Sequence, residues 1–380
     1  MTRLSWTKTT LRSLVAAGTL LAGVVPSQVA GQAEQLLERD AAATLELPAE
    51  TNIGFARGSF IVAPIPFESP ELDTGLALGG AYLFQADEGS SKSSIGLGGF
   101  RTKNDSRGVG GGANLSFSNN RWQATIFAAD AEVLYDFFIN SVPFPIEQSG
   151  QALRADLKYG FTPQISAGIG FQYLDTTVAP NFRFLNFLPP ELQPDASLEI
   201  FKLGLLFDWD RRDDNFYPST GTLVSASSFR GTMRDLDDRV YEKHVISAAG
   251  YRSIFGDGVI AGRVVGCAAS DDAPFFDSCA IGPTDGFRGF PATEFLDNAL
   301  FSVQAEYRGR LSKRLGYVVF GGAGSVAEDF SDALGGSYQL AGGLGARIRL
   351  SRKFPVDYAI DVSFAEDGAQ LLYLSVGQRW

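Results

Sequence analysis

The chain has 380 residues, with 43 glycines, 30 phenylalanines, 2 methionines and a formal net charge of −11. Its mean hydropathy of +0.01 does not suggest a helical membrane protein, and its acidic balance makes it a poor binder of nucleic acid. The length allows two ordinary domains or one large barrel, and a glycine- and phenylalanine-rich composition suits strands and turns better than long helices.

Residues 1–33 read as a secretory signal peptide. Arg3, Lys8 and Arg12 are followed by an uncharged apolar run from Leu14 to Val25, and Gly31 and Ala33 stand at −3 and −1 of a cut after Ala33. A membrane anchor is the alternative, but the run is shorter than the roughly 20 residues a helical span needs. Residues 34–52 read as a short periplasmic lead-in, too brief for a domain of its own.

From there to the C-terminus the pattern is period two. In 153–159 Leu153, Ala155, Leu157 and Tyr159 oppose Arg154, Asp156 and Lys158; in 356–364 Val356, Tyr358, Ile360, Val362 and Phe364 oppose Asp357 and Asp361. Segments of this kind run about 9–13 residues, the reach of a tilted membrane-crossing strand, and longer than the five or six residues usual in a soluble sandwich. The expected fold is all-β: a transmembrane antiparallel β-barrel of about 16 strands over residues 53–380, the first at 53–64 and ended by Pro64 and Pro66. With both termini periplasmic, the long connections 137–149, 178–195, 269–297 and 327–335 face outward and the short ones face the periplasm, the asymmetry such barrels show. Trp122, Trp209 and Trp380 then all fall at the periplasmic rim, as an interfacial girdle.

One periplasmic connection is long, Asp208 to Gly221. Arg212 stands between Asp210 and Asp213, Pro218 fixes a turn, and Gly221 tolerates a positive φ. Farther on, Cys267 and Cys279 are the only cysteines; in an exported chain they are expected to pair as a disulfide, with two separate thiols as the alternative. Just beyond them, in the longest aperiodic loop, stands Phe287-Arg288-Gly289-Phe290.

These stretches resemble the bacterial surface antigen superfamily, which includes barrel-assembly, translocation-and-assembly and two-partner secretion barrels. Asp210-x-Arg212-Asp213 with Pro218 and Gly221 is similar to its Asp-x-Arg-Asp…Pro-x-x-Gly turn, and residues 287–290 are similar to its Val/Leu-Arg-Gly-Phe/Tyr signature. Ala305-Glu306-Tyr307-Arg308 matches a strand that often carries a lumenal glutamate, and Phe320-x-x-x-Gly324 matches a Phe-x-Asp-x-Gly strand in which Gly322 replaces the acid. The resemblance implies an outward loop folded into the lumen and locked by Arg288, Gly289, Phe290 and Glu306, with Asp357 or Asp361 in reserve. It also implies insertion or translocation of client outer-membrane or secreted proteins, or of lipids, at the outer membrane of a Gram-negative bacterium. The family's assembly factors carry polypeptide-transport-associated repeats before the barrel, and residues 34–52 cannot hold one, so a barrel-only member is expected.

The last strand, with Tyr373, Val376 and the terminal Trp380, is similar to the signal by which barrels are themselves inserted. A passive pore or structural surface protein on the same scaffold is the competing reading. No enzyme, metal or cofactor is expected: His244 is the only histidine, and no Gly-x-Ser-x-Gly accompanies it.

Overall fold

The computed structural model describes residues 54–69, 72–90, 92–139, 142–181, 196–213, 217–234, 239–254, 256–282, 287–349 and 357–376. The expected signal peptide, the lead-in at 34–52 and Trp380 lie outside them, as does the side chain of Val376.

Sixteen strands close into one antiparallel barrel. The first half comprises β1 (Ser59–Ser69), β2 (Asp73–Gln85), β3 (Lys92–Thr102), β4 (Arg107–Phe117), β5 (Trp122–Ile139), β6 (Val142–Gly160), β7 (Ile165–Pro180) and β8 (Ala196–Asp210). The second comprises β9 (Gly221–Met233), β10 (Val240–Ile254), β11 (Gly258–Ala269), β14 (Ala299–Arg310), β15 (Leu315–Ala327), β16 (Gln339–Arg349), β17 (Asp357–Ala365) and β18 (Gln370–Val376). The loop between β11 and β14 carries a separate small ribbon of β12 (Cys279–Ile281) and β13 (Phe295–Asp297), and a short helix α1 (Phe330–Gly335) follows β15.

The two faces of the wall are those the alternation dictates. Leu340, Leu344 and Ile348 on β16 and Phe364 on β17 are exposed, while Asp357, Asp361 and Ser363 are buried. Apolar side chains therefore point out and charged ones point in, the reverse of a soluble protein and the arrangement a lipid-embedded barrel needs. Trp122 and Trp209 are partly exposed at the rim that carries the short turns, and Trp122 meets Tyr159 edge to face at 5.1 Å. His244 lies on the exposed outer face, its Nδ1 2.9 Å from Ser228 Oγ.

Two expectations need correction. Pro64 and Pro66 do not end the first strand, which continues to Ser69. Proline lacks the amide hydrogen, and residues two apart send their amides to the same strand edge. The register with β2 is unbroken from Ser59 to Ser69, so both gaps fall on the edge that faces β18. Among the described residues, the registered pair across that seam is Glu68 with Leu374. The connection 137–149 is likewise not a loop: β5 and β6 run on as strands of 18 and 19 residues, paired out to Ile139 and Val142.

At the rim of long loops the inner surface turns apolar. Val133, Tyr135 and Phe137 of β5, Ile146 of β6, Leu198 and Ile200 of β8 and Met233 of β9 form one buried cluster with Phe275 and Phe276 of the β11–β14 loop. Phe137 and Phe275 lie 4.4 Å apart, ring centre to ring centre.

Candidate functional site

The turn after β8 is held by its own acids, in two different ways. Asp210 takes the Arg212 guanidinium at 2.9 and 2.7 Å and the Arg212 amide at 3.0 Å. Asp213, expected to flank the same arginine, instead reaches across the turn, accepting from the Ser219 and Thr220 amides at 2.9 and 3.1 Å and from the Ser219 hydroxyl. Burial pushes the Asp213 carboxyl up, but the Ser219 hydroxyl and the two amides outweigh it and hold its pKa below the ordinary value. Gly221 has φ of +103°, and a Cβ there would meet the Arg211 carbonyl oxygen at 2.1 Å, so glycine is required twice over.

The β11–β14 loop is fastened at several points. Cys267 on β11 is bonded to Cys279, with Cα atoms 5.7 Å apart. Asp277 accepts from Lys202 of β8 and from the Tyr241 hydroxyl of β10, both at 2.7 Å, with Lys243 at 3.7 Å. Burial raises the Asp277 carboxyl, but the two lysines outweigh it and its pKa is lowered. The Thr293 hydroxyl donates to the Asp136 carbonyl oxygen of β5 at 2.9 Å. The Asp277 clip was not anticipated from the sequence.

Arg288 is a further such point, with 1 % of its surface exposed. Its Nη2 donates to Glu306 of β14, and its Nη1 donates to Asp361 of β17 at 2.6 Å. Those strands are separated by β15 and β16, so one guanidinium spans four strands of the inner wall. Each acid has a second arginine: Arg308 Nε reaches Glu306 at 2.5 Å and Arg347 Nη1 reaches Asp361 at 2.5 Å. Turning the Gln304 amide so that its oxygen faces Arg288 gives two more bonds, at 3.0 and 3.2 Å. The guanidinium also lies over the Phe320 ring, 3.7 Å from its centre. Beside it, the Gly289 amide donates to the Tyr373 hydroxyl of β18 at 3.1 Å. Gly289 has φ of +150°, and a Cβ there would lie 2.2 Å from that of Ala341.

The structure accounts for the departure at Gly322. A Cβ on Gly322 would stand 2.8 Å from the Phe287 ring, and one on Gly324 would meet the same ring at 2.8 Å. The phenylalanine that opens this chain's motif thus occupies the space an acid at 322 would need. Asp361, named only as a reserve, supplies the second carboxylate. Asp357 serves other arginines, Arg310 at 2.5 Å and Arg349 at 2.7 Å.

No family model and no curated relative match the sequence. Solved structures do. BamA from Haemophilus ducreyi lacking POTRA domains 1–3 superposes with a TM-score of 0.55 at 13% identity, covering 97% of this chain and 81% of that one. The chain has the fold of that barrel. CdiB from Escherichia coli gives a TM-score of 0.55 at 12% identity over 95% of this chain and 73% of that one. CdiB from Acinetobacter baumannii gives 0.53 at 9% identity over 84% of this chain, which spans only 59% of that protein's length. The fold expected from the alternation is therefore the fold found, a closed 16-stranded antiparallel barrel.

Proposed function

We propose that the chain resides in the outer membrane of a Gram-negative bacterium, surrounded by its lipid, and inserts or translocates polypeptides by parting β1 from β18. The observation that carries this reading is the β1 edge, where Pro64 and Pro66 leave two positions without an amide to offer β18. A seam with missing hydrogen bonds opens at lower cost than any other pair of neighbours. Once open, its backbone groups are a template for an incoming client strand. The shared fold with BamA and CdiB supports the same reading.

The packing of Phe275 and Phe276 among inward side chains of β5 to β9 favours a shut mouth over a passive pore. The tethers at Asp277, Arg288 and Thr293 favour a loop that stays in place.

The test is a crosslink across the registered pair. Glu68→Cys with Leu374→Cys, oxidised in cells depleted of the native chain, is expected to lower the levels of other outer-membrane barrels or exported proteins relative to either single variant. Normal levels in crosslinked cells overturn the seam mechanism; normal levels after depletion alone overturn the assembly role itself.

A further inference from the structure

One side chain joins the turn after β8 to the loop between β11 and β14. Arg308 of β14 is 1 % exposed, and its Nε donates at 2.5 Å to the Glu306 carboxylate that also holds Arg288. Its guanidinium carbon lies 5.8 Å from the ring centre of Tyr217 and 5.7 Å from that of Tyr251, and its Nη1 is 3.5 Å from the Pro218 carbonyl oxygen. Tyr251 interacts electrostatically with Arg212, which Asp210 clamps at 2.7 Å. Contacts thus run unbroken from Asp210 through Arg212, Tyr251, Arg308 and Glu306 to Arg288.

We propose that Arg308 is a positioning residue that couples the turn to the loop, so that loosening either end loosens the other. The physical cause is competition for one carboxylate. Glu306 is shared by two guanidiniums in a buried site where Coulomb attraction is weakly screened. When Arg288 is drawn away, Glu306 recentres on Arg308, and Arg308 shifts off Pro218 and the two tyrosines. When the turn contacts are lost, Arg308 settles on Glu306 and draws the carboxylate off Arg288. This coupling is independent of what the barrel transports.

The neighbouring Arg310 supplies an internal control. It also touches Tyr217, at 5.1 Å, but pairs with Asp357, which has no bond to Arg288 among the described contacts. Removing it takes one cation from the Tyr217 ring but leaves Arg308 on Pro218, Tyr251 and Glu306, so the turn keeps its place and Glu306 is undisturbed.

Hydrogen exchange measured by mass spectrometry on the barrel in lipid nanodiscs tests the coupling. Arg288→Gln is expected to speed exchange in 217–221 by about fivefold or more, the lower end of couplings between distant sites. The turns at 118–121 and 311–314 are expected to stay unchanged. Arg308→Lys keeps a charge beside Glu306 but loses the planar fork, so in that background Arg288→Gln is expected to leave 217–221 unmoved. Tyr217→Ala reads the coupling in reverse, as faster exchange at the Gly289 amide, whereas Arg310→Gln leaves that amide unchanged. An unmoved 217–221 in Arg288→Gln overturns the proposal, as does an equal rise in every turn. Should Arg288→Gln fail to insert, an unmoved Gly289 amide in Tyr217→Ala overturns it alone.

Discussion

The cluster around Arg288 makes an unequal prediction for its members. Arg288, Arg308 and Arg347 face Glu306 and Asp361, three cations to two carboxylates. Arg288→Met leaves two intact pairs, Glu306 with Arg308 and Asp361 with Arg347. No carboxylate is stranded, and the desolvation of the lost cation is recovered. What disappears is a set of charge-assisted hydrogen bonds and the contact over Phe320, so the expected cost is about 2 kcal/mol. Glu306→Gln is different, because it leaves three cations around one carboxylate. Uncompensated buried charge costs about 3–5 kcal/mol, and Asp361→Asn is expected to cost the same. The double variant Arg288→Met with Glu306→Gln removes one charge of each sign and is expected to be more stable than the single costs add to. The assay is urea unfolding of the refolded barrel in detergent micelles, followed by the shift between compact and unfolded bands on a gel. The reasoning fails if Arg288→Met is the costliest of the three, or if all three fall within about 0.5 kcal/mol, the level of ordinary surface substitutions.

Other outcomes follow from the same geometry. Gly322→Ala forces a Cβ to within 2.8 Å of the Phe287 ring and should cost about 1–3 kcal/mol in the same assay, with most of it returned by adding Phe287→Val. Asp277 has a lowered pKa, so its contribution is fully present above the ordinary carboxylate value of about 3.9 and fades as pH falls through the lower folded value. Exchange at 274–281 should therefore quicken only at strongly acid pH, and Asp277→Asn should quicken it at neutral pH; a rise beginning near pH 6 contradicts this. Cys279→Ser should lower barrel stability by up to about 3 kcal/mol by the chain-entropy argument, and a change confined to exchange within 270–282 would show that the other tethers carry the loop.

Much of this fold is written in the alternation of the chain. Each strand puts apolar groups on lipid and polar groups inside, and that constraint is local, so a barrel of about 16 strands was legible, though the first strand and the outward reach of β5 and β6 were not. The exception at β1 is instructive. Pro64 and Pro66 end a strand only where both edges must be bonded, and which edge of β1 faces the seam is a property of the closed barrel. The turn and the Arg288 motif were legible because each is a short stretch with a demanding geometry. Asp361 could be named only as a reserve, since its proximity to Arg288 depends on the curvature of three strand pairings. The Asp277 clip was invisible for a related reason: its partners Lys202, Tyr241 and Lys243 lie on two strands far upstream. The apolar inner surface at the loop rim was hidden because Phe137, Phe138 and Ile139 are apolar at both parities, so alternation assigns them no side.

The gaps on the β1 edge matter before the barrel exists as well as after. A newly made chain that has formed hairpins but not closed presents two bare strand edges, and such edges pair readily with those of other molecules. An edge interrupted at Pro64 and Pro66 cannot be zipped continuously by a neighbour's strand. The two prolines that thin the amides facing β18 thus also keep unclosed copies from fusing sheet to sheet.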